Sequence, residues 1–114
     1  MKRKIDCHPA CAVEISLEII GGKWKSVVLY HLLSGTKRFN ELRRLIPSVS
    51  QRMLTRQLRE LEAHQIISRT VYPVVPPKVE YALTERGVSL RPILLALKAW
   101  GSEYGESLLK HSET

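Results

Sequence analysis

Three arginines fall on one side of a stretch that otherwise has the pattern of an amphipathic helix. In residues 50–64, Arg52, Arg56 and Arg59 lie within a narrow arc at about 100° per residue, and a row of leucines lies opposite them: Leu54, Leu58 and Leu61. A guanidinium group binds phosphate, or guanine bidentately, and an α-helix fits the major groove of B-DNA. The pattern predicts a helix anchored by its leucines that presents its arginines to double-stranded DNA.

Polar residues at the start of this helix support the same interpretation. Ser50 is the expected N-cap, Gln51 can hydrogen-bond adenine, and Thr55 flanks the arginine row. The unpaired N–H groups of a helix start also favour phosphate. The alternative is a solvated basic face, but such faces usually alternate in sign. Here residues 37–59 contain seven basic side chains, including Arg38, and only one acidic one. We therefore assign Arg38 to the DNA-binding set as well.

The distribution of charge points to an anionic partner. The 114 residues carry 18 Lys and Arg against 11 Asp and Glu, a net charge of +7. Residues 1–22 carry three of each sign and residues 81–114 carry four of each, so the excess lies in residues 23–80, with eleven basic and four acidic. The length predicts a single domain over residues 1–114.

The N-terminal segment "MKRKIDCHPAC" is basic but leads into no apolar run of signal-peptide length, and no stretch approaches about 18 apolar residues. We expect a cytoplasmic protein. Cys7 and Cys11 would close only a tiny loop, which stabilises little, so reduced thiols are expected.

The first helix, "CAVEISLEII", has two apolar stripes. Val13, Leu17 and Ile20 share one side, while Ile15 and Ile19 fall on the opposite side. Because a small domain has one core, the second stripe predicts a partner chain.

The remaining elements predict a mainly α fold with a small β-hairpin wing, a winged helix-turn-helix. A central helix, "KWKSVVLYHLLSG", precedes a short helix "FNELRRLI" capped by Asn40, and the turn "PSVS" leads to the arginine-bearing helix. Two strands follow, "IISRTVY" and "KVEYALT". Thr84 is expected to cap the last helix, which has one long apolar stripe (Leu90, Ile93, Leu94, Leu97, Trp100, Tyr104 and Leu108).

Prolines stiffen the tip between the two strands. Pro73, Pro76 and Pro77 fix φ and remove N–H donors, so the tip loses less entropy on docking to DNA, and Lys78 just beyond is placed to meet a phosphate. The alternative, that the prolines only protect an exposed strand edge from aggregation, is compatible with this.

Several ordered motifs resemble the HxlR-type transcriptional regulators, winged-helix relatives of the MarR group. They are "IGGKW" at 20–24, "RFNELRRLIP" at 38–47, "SQRMLTRQLRELE" at 50–62, "VPPKVEYALTERG" at 75–87 and a downstream Trp100. The resemblance covers residues 11–104. It implies a bacterial cytosolic homodimer that binds pseudo-palindromic operator DNA near its own or an adjacent gene, with the first and last helices forming the dimer interface.

The resemblance also bears on Cys11. In part of this family, a cysteine just ahead of the first helix senses oxidants or electrophiles, which makes an oxidant or small-molecule effector a candidate here. This sequence departs from the pattern, with Ala12 where proline is common and an extra Cys7. Helical projection places Cys11 near Ile15, which favours pairing between chains over pairing with Cys7. The alternative is a small hydrophobic residue at an interface.

Other chemistry is weakly supported. "CHPAC" offers Cys7, His8 and Cys11 as zinc ligands, but a structural site needs a fourth and no other histidine has a suitable spacing. No cofactor, metal or catalytic constellation is predicted, so the protein is not expected to be an enzyme. The alternative function is a winged-helix protein-interaction or assembly module that binds nucleic acid weakly and without specificity.

Overall fold

The computed structural model describes the backbone of residues 9–113 and the side chains of residues 9–110. Short helices alternate with a small sheet in this order: α1 (Cys11–Ile20), α2 (Lys25–Leu32), β1 (Lys37–Arg38), α3 (Phe39–Leu45), α4 (Gln51–Ala63), β2 (Ile67–Tyr72), β3 (Lys78–Leu83), α5 (Glu85–Val88), α6 (Arg91–Trp100), a π-helical segment (Gly101–Gly105) and α7 (Glu106–Glu113). None of the helices in this part of the chain is long and apolar enough to cross a membrane.

Helices α3 and α4 form the predicted helix-turn-helix, and their caps explain where each begins. The Ser50 hydroxyl accepts a hydrogen bond from the Met53 N–H at 3.0 Å, which confirms the predicted N-cap of α4. The Asn40 cap is wrong, because α3 already begins at Phe39. Glu41 reaches back instead, and its Oε1 accepts the N–H of Arg38 at 2.9 Å.

The sheet has three antiparallel strands in the order β1-β3-β2. The predicted strand pair is present, with Ile67 opposite Leu83 at its base and Tyr72 opposite Lys78 at its tip. The third strand, β1, places Lys37 opposite Tyr81 and was not predicted. A two-residue strand has no alternation to detect, and its partner lies far along the chain.

The core lies between α2, α3, α4 and the base of the sheet. Helix α2 is the central buried helix that its apolar composition predicts, with Val28, Leu29 and Leu32 fully or almost fully buried. The leucine row of α4 packs into the same cluster. Packing of the buried side of α2 against α4 and β3 helps to fix the position of α4 relative to the wing.

Helix α1 has the two predicted apolar stripes, but the stripe that faces outward is not the predicted one. Ile19 and Ile20 both contact the core, so the core direction lies between them. That direction turns Val13 and Leu17 outward, where they are 58% and 60% exposed, and leaves Ile15 only half-buried. Two apolar stripes are present, but the outward one is carried by Val13 and Leu17 rather than by Ile15 and Ile19.

The C-terminal helix is divided and protrudes from the rest of the chain. Thr84 caps the four-residue α5 rather than the long helix, and α6 begins afresh with Pro92 in its first turn. Leu94 is buried, but Ile93, Leu97 and Trp100 remain about half exposed. The radius of gyration is 16.1 Å, compared with about 13 Å for a compact domain of 100 residues. The predicted apolar stripe is therefore covered at Leu90 and Leu94 and remains exposed from Leu97 onward within the described part of the chain.

A hydrogen-bonded corner joins the end of α4 to the start of α5. The Thr84 hydroxyl lies 2.7 Å from the Gln65 carbonyl oxygen and 3.0 Å from that of Ile66, and it accepts the Gly87 N–H at 3.2 Å. Gly87 approaches so closely that a Cβ there would lie 2.3 Å from the Ile66 oxygen. The corner fixes the base of the wing.

Gly87→Ala should therefore destabilise the protein by about 1–3 kcal/mol, as overpacking does, because the added methyl group meets a backbone oxygen that is already hydrogen-bonded. Urea unfolding followed by circular dichroism measures the change. Gly101→Ala is the matched control, since its Cβ would meet nothing within 4 Å. We expect the control to change the free energy of unfolding by less than about 1 kcal/mol; equal effects of the two substitutions would contradict the close approach at Gly87.

Candidate nucleic-acid interface

Helix α4 packs with its leucine face against the core and its arginine face toward solvent. Leu54, Leu58 and Leu61 are fully or almost fully buried against the core. The opposite face carries the three arginines, all exposed. Because the leucine row fixes the rotation of the helix about its axis, the guanidinium groups project from the protein surface as a single basic face.

A concavity of about 700 Å³ on this face brings together most of the predicted DNA-binding residues. Its lining consists of Gln51, Arg52, Thr55, Arg56, Arg59 and Glu60. The Thr55 hydroxyl donates to the Gln51 carbonyl at 2.9 Å, which leaves its lone pairs for an external donor. The hydroxyl of Ser50 is occupied by its capping role, so this residue contributes mainly by ordering the start of the helix. We call this surface the α4 groove.

Glu60 is the member of the α4 groove that the sequence prediction missed. Its Oε1 accepts a hydrogen bond from Lys25 Nζ at 2.9 Å, and its Oε2 lies 3.5 Å from Arg56 Nε. Lys25 is the buried charged residue of α2, with 8% of its surface exposed. The hydrogen bond from Lys25 is the main reason that the pKa of Glu60 is lowered, which keeps this carboxyl ionised at neutral pH. The i,i+4 spacing from Arg56 was the available signal.

A second, smaller concavity lies between α4 and the wing. It is lined by Thr55, Leu58, Arg59, Glu62, Arg69 and Tyr81. Arg59 therefore borders both surfaces, and Arg69 on β2 adds a cation that the sequence prediction did not include. Arg69 is exposed, as is every residue of β2 after Ile67, so strand alternation in the sequence does not single it out.

Arg38 and Lys78 line neither concavity. Arg38 ends β1 opposite Glu80 and is exposed beside α3. The Nζ of Lys78 lies 3.4 Å from Glu80 Oε2 and 4.9 Å from the centre of the Tyr72 ring. The hydrogen bond to Glu80 raises the pKa of Tyr72. The charge of Lys78 is thus partly compensated within the wing itself.

The tip of the wing is the proline-rich turn of residues 73–77. It is exposed throughout, and Val75, whose bond to Pro76 is cis, has its whole surface in solvent. The wing therefore ends in an exposed, largely apolar tip.

Cys11 differs from expectation. It is the first residue of α1, is 4% exposed and is disulfide-bonded, in a structure that contains one chain. The other cysteine, Cys7, lies outside the described residues. The expectation of a reduced thiol at Cys11 is therefore not met in this structure, whereas pairing between chains stays a prediction.

The sequence offers Cys7, His8 and Cys11 as an incomplete set of zinc ligands in the N-terminal segment. In residues 9–113 no three His, Cys, Asp or Glu side chains gather as a metal site. Cys7 and His8 fall outside this range, so the candidate ligand set itself is not described.

A short helix, a tight turn, a second helix with a basic exposed face and a following hairpin define a winged helix-turn-helix protein, a class that recognises DNA through its second helix. The model of the HxlR-like helix-turn-helix family matches residues 19–108, and the chain belongs to this family. The predicted class, a helix-turn-helix transcriptional regulator, is confirmed.

Individual relatives agree in sequence and in structure. The HTH-type transcriptional regulator YdeP of Bacillus subtilis (strain 168) is 56% identical over 105 residues, which cover 92% of this chain and 82% of YdeP. The redox regulator HypR in its oxidised form superposes with a TM-score of 0.79 at 60% identity, over 82% of this chain and 96% of HypR. Diamide-treated YodB from B. subtilis superposes with a TM-score of 0.69 at 36% identity, over 86% of this chain and 95% of YodB.

Proposed function

We propose that the protein is a homodimeric regulator that binds a pseudo-palindromic operator with α4 in the major groove and the wing beside it, and that oxidation at Cys11 changes this binding. The observation that carries the proposal is the α4 groove, where guanidinium and amide groups project from a helix whose other face is buried. Arg52, Arg56 and Gln51 are the candidates for base contacts. Thr55 faces the DNA groove beside them, and Ser50 contributes by ordering the start of the helix. The candidates for contacts to the DNA phosphates are Arg38, Arg59 and Lys78.

Homodimer formation is supported by an uncovered apolar groove between α1 and α6. Val13 and Leu17 line it from one side and Ile93 and Leu97 from the other. Exposed apolar surface of this extent is uncommon on a monomer and marks a contact site. The same stripe continues along α6 to Trp100, so a second copy of the chain would cover both helices. Two-fold symmetry would then present two α4 helices to two half-sites.

Redox regulation is supported by the position of Cys11 and by two relatives. Cys11 is the buried first residue of the helix that carries Val13 and Leu17, so a change in its packing would shift that helix within the proposed dimer contact. HypR is described as a redox regulator, and YodB has been studied after diamide treatment. A small change in the angle between the two chains would alter the spacing of their α4 helices, which must match half-sites about 34–36 Å apart.

Base-reading and backbone-holding residues should respond differently to substitution. Arg52→Ala or Arg56→Ala should cost about 1–3 kcal/mol on the operator and relax the preference at one base pair, because a bidentate contact is lost. Lys78→Ala should weaken binding to all sequences and lower the salt slope by about one, and less if its pairing with Glu80 persists on DNA.

Fluorescence anisotropy with operator and scrambled duplexes at several salt concentrations measures both effects. The wild type should favour the operator by about 10³-fold or more. Equal, weak binding to both duplexes would favour the alternative function, an interaction module. Unchanged operator affinity in both arginine variants would remove α4 as the recognition helix.

The dimer proposal predicts that Leu17→Asp combined with Leu97→Asp yields monomers, because two carboxylates would be buried without partners. Val74→Asp combined with Val75→Asp is the matched control, since it places the same two charges on exposed apolar residues at the wing tip. Sedimentation velocity should show dimers for the wild type and for the control. A folded wild-type monomer at micromolar concentration contradicts the proposal.

The redox proposal predicts that diamide, added to protein first reduced with dithiothreitol, changes the operator affinity of the wild type and leaves that of Cys11→Ser unchanged. Two thiols lose two protons and two electrons to the N=N bond of diamide and join as a disulfide. Cys7→Ser identifies the second thiol. A retained response with a covalent dimer on a non-reducing gel indicates pairing between chains, and a lost response indicates Cys7 as the partner. A full response in Cys11→Ser, or none in the wild type, overturns sensing at this residue.

A further inference from the structure

One acidic side chain, Glu60, lies among the arginines of the α4 groove. A carboxylate on a surface that faces DNA repels phosphate and lowers affinity for any duplex. Non-specific affinity for DNA therefore does not explain why Glu60 lies in the α4 groove. The contacts of its two carboxylate oxygens indicate another role.

Each carboxylate oxygen of Glu60 contacts one cation. Oε1 holds Lys25 Nζ at 2.9 Å on the protein side, and Oε2 lies 3.5 Å from Arg56 Nε on the outer side. The side chains become more exposed in the same order, with 10% exposure at Lys25, 38% at Glu60 and 72% at Arg56. A buried ammonium group thus fixes a carboxylate, which in turn restrains an exposed guanidinium.

The contact at Nε leaves the base-reading atoms of Arg56 available. A guanidinium has five N–H donors, and the pairing with Glu60 engages the Nε end. The terminal nitrogens remain free to meet the O6 and N7 atoms of guanine side by side. Because arginine has high rotamer entropy, fixing its plane before DNA arrives reduces the entropy lost on forming that bidentate contact.

We propose that Glu60 is a positioning residue for sequence specificity: anchored on the buried ammonium group of Lys25, it orients Arg56 toward one base pair of the operator. On a duplex that lacks this base pair, Arg56 in this orientation has no bidentate partner, and swinging it away to a phosphate would separate it from Glu60. The carboxylate would then face DNA without its partner, which disfavours the wrong sequence. The inference rests on the proposed function, because it assigns a role within operator binding.

Glu60→Gln tests the role with almost no change of shape. The variant should bind scrambled duplex more tightly than the wild type, since a repelling charge is removed. Its preference at the base pair contacted by Arg56 should fall by about tenfold, as loss of an ordered bidentate contact implies. A panel of duplexes with each half-site base pair substituted in turn, at one fixed salt concentration, measures both quantities.

Glu62→Gln is the matched control, because it removes the same charge from the same helix at a residue outside the Lys25–Glu60–Arg56 contacts. It should raise affinity for all duplexes alike and leave the preference at every base pair unchanged. Removing the Glu60 charge alone leaves a buried ammonium group without its partner, which can unfold the variant. The double variant Lys25→Met with Glu60→Gln removes both charges, and thermal unfolding verifies that it is folded before its binding is measured.

Arg56→Ala separates positioning from a purely structural role. If Glu60 acts through Arg56, adding Glu60→Gln to Arg56→Ala should leave base preference unchanged. A structural role would lower affinity for all duplexes and would persist in that background. Unchanged base preference in the folded Glu60 variants, alongside a wild type that discriminates, overturns this inference alone. A wild type that does not discriminate between operator and scrambled DNA overturns the proposed function and this inference with it.

Discussion

The burial of one face of α4 is the constraint on which the functional surface depends. Each leucine removed from water contributes about 1.5–3 kcal/mol at most, which is large beside a net stability of about 5–15 kcal/mol. Leu54, Leu58 and Leu61 therefore fix how α4 is rotated about its axis. Once that rotation is set, helical geometry alone places the arginines outside. Stability and function are carried by opposite sides of one helix, so the core positions the groove without contributing a side chain to its chemistry.

Helix α2 links this helix to the rest of the molecule in two ways. Its apolar residues form the centre of the core, and its buried Lys25 reaches 35 positions along the chain to Glu60. Apolar contacts are tolerant of small shifts, whereas a charge-assisted hydrogen bond of 2.9 Å prefers a narrow range of distance and angle. The hydrogen bond between Lys25 and Glu60 thus restrains more narrowly the relative position of α2 and α4 that apolar packing has set. The corner at Thr84 and Gly87 plays the same part at the base of the wing.

The two ends of the described chain differ from this well-packed centre. Helix α1 and the α6 segment each bury one or two residues and leave an apolar row in solvent, and these rows meet in one groove. The cysteine that begins α1 lies at the margin of this region. This division suits the proposed regulation. If two chains pair through the apolar rows of α1 and α6, a change in the angle between the chains can move the two α4 helices without disturbing either core.

The sequence by itself determined the elements whose signals are local. The leucine and arginine rows of α4, its Ser50 cap, the buried α2 and the proline-stiffened hairpin all follow from periodicity and capping within a few residues. The tertiary structure decided what depends on distant partners. It set the outward stripe of α1, because two apolar stripes compete and only packing selects one. It formed the two-residue β1 through its register with β3, and it joined Lys25 to Glu60. In each case the local sequence allows several arrangements of similar free energy, and contacts between residues far apart in the chain select one of them.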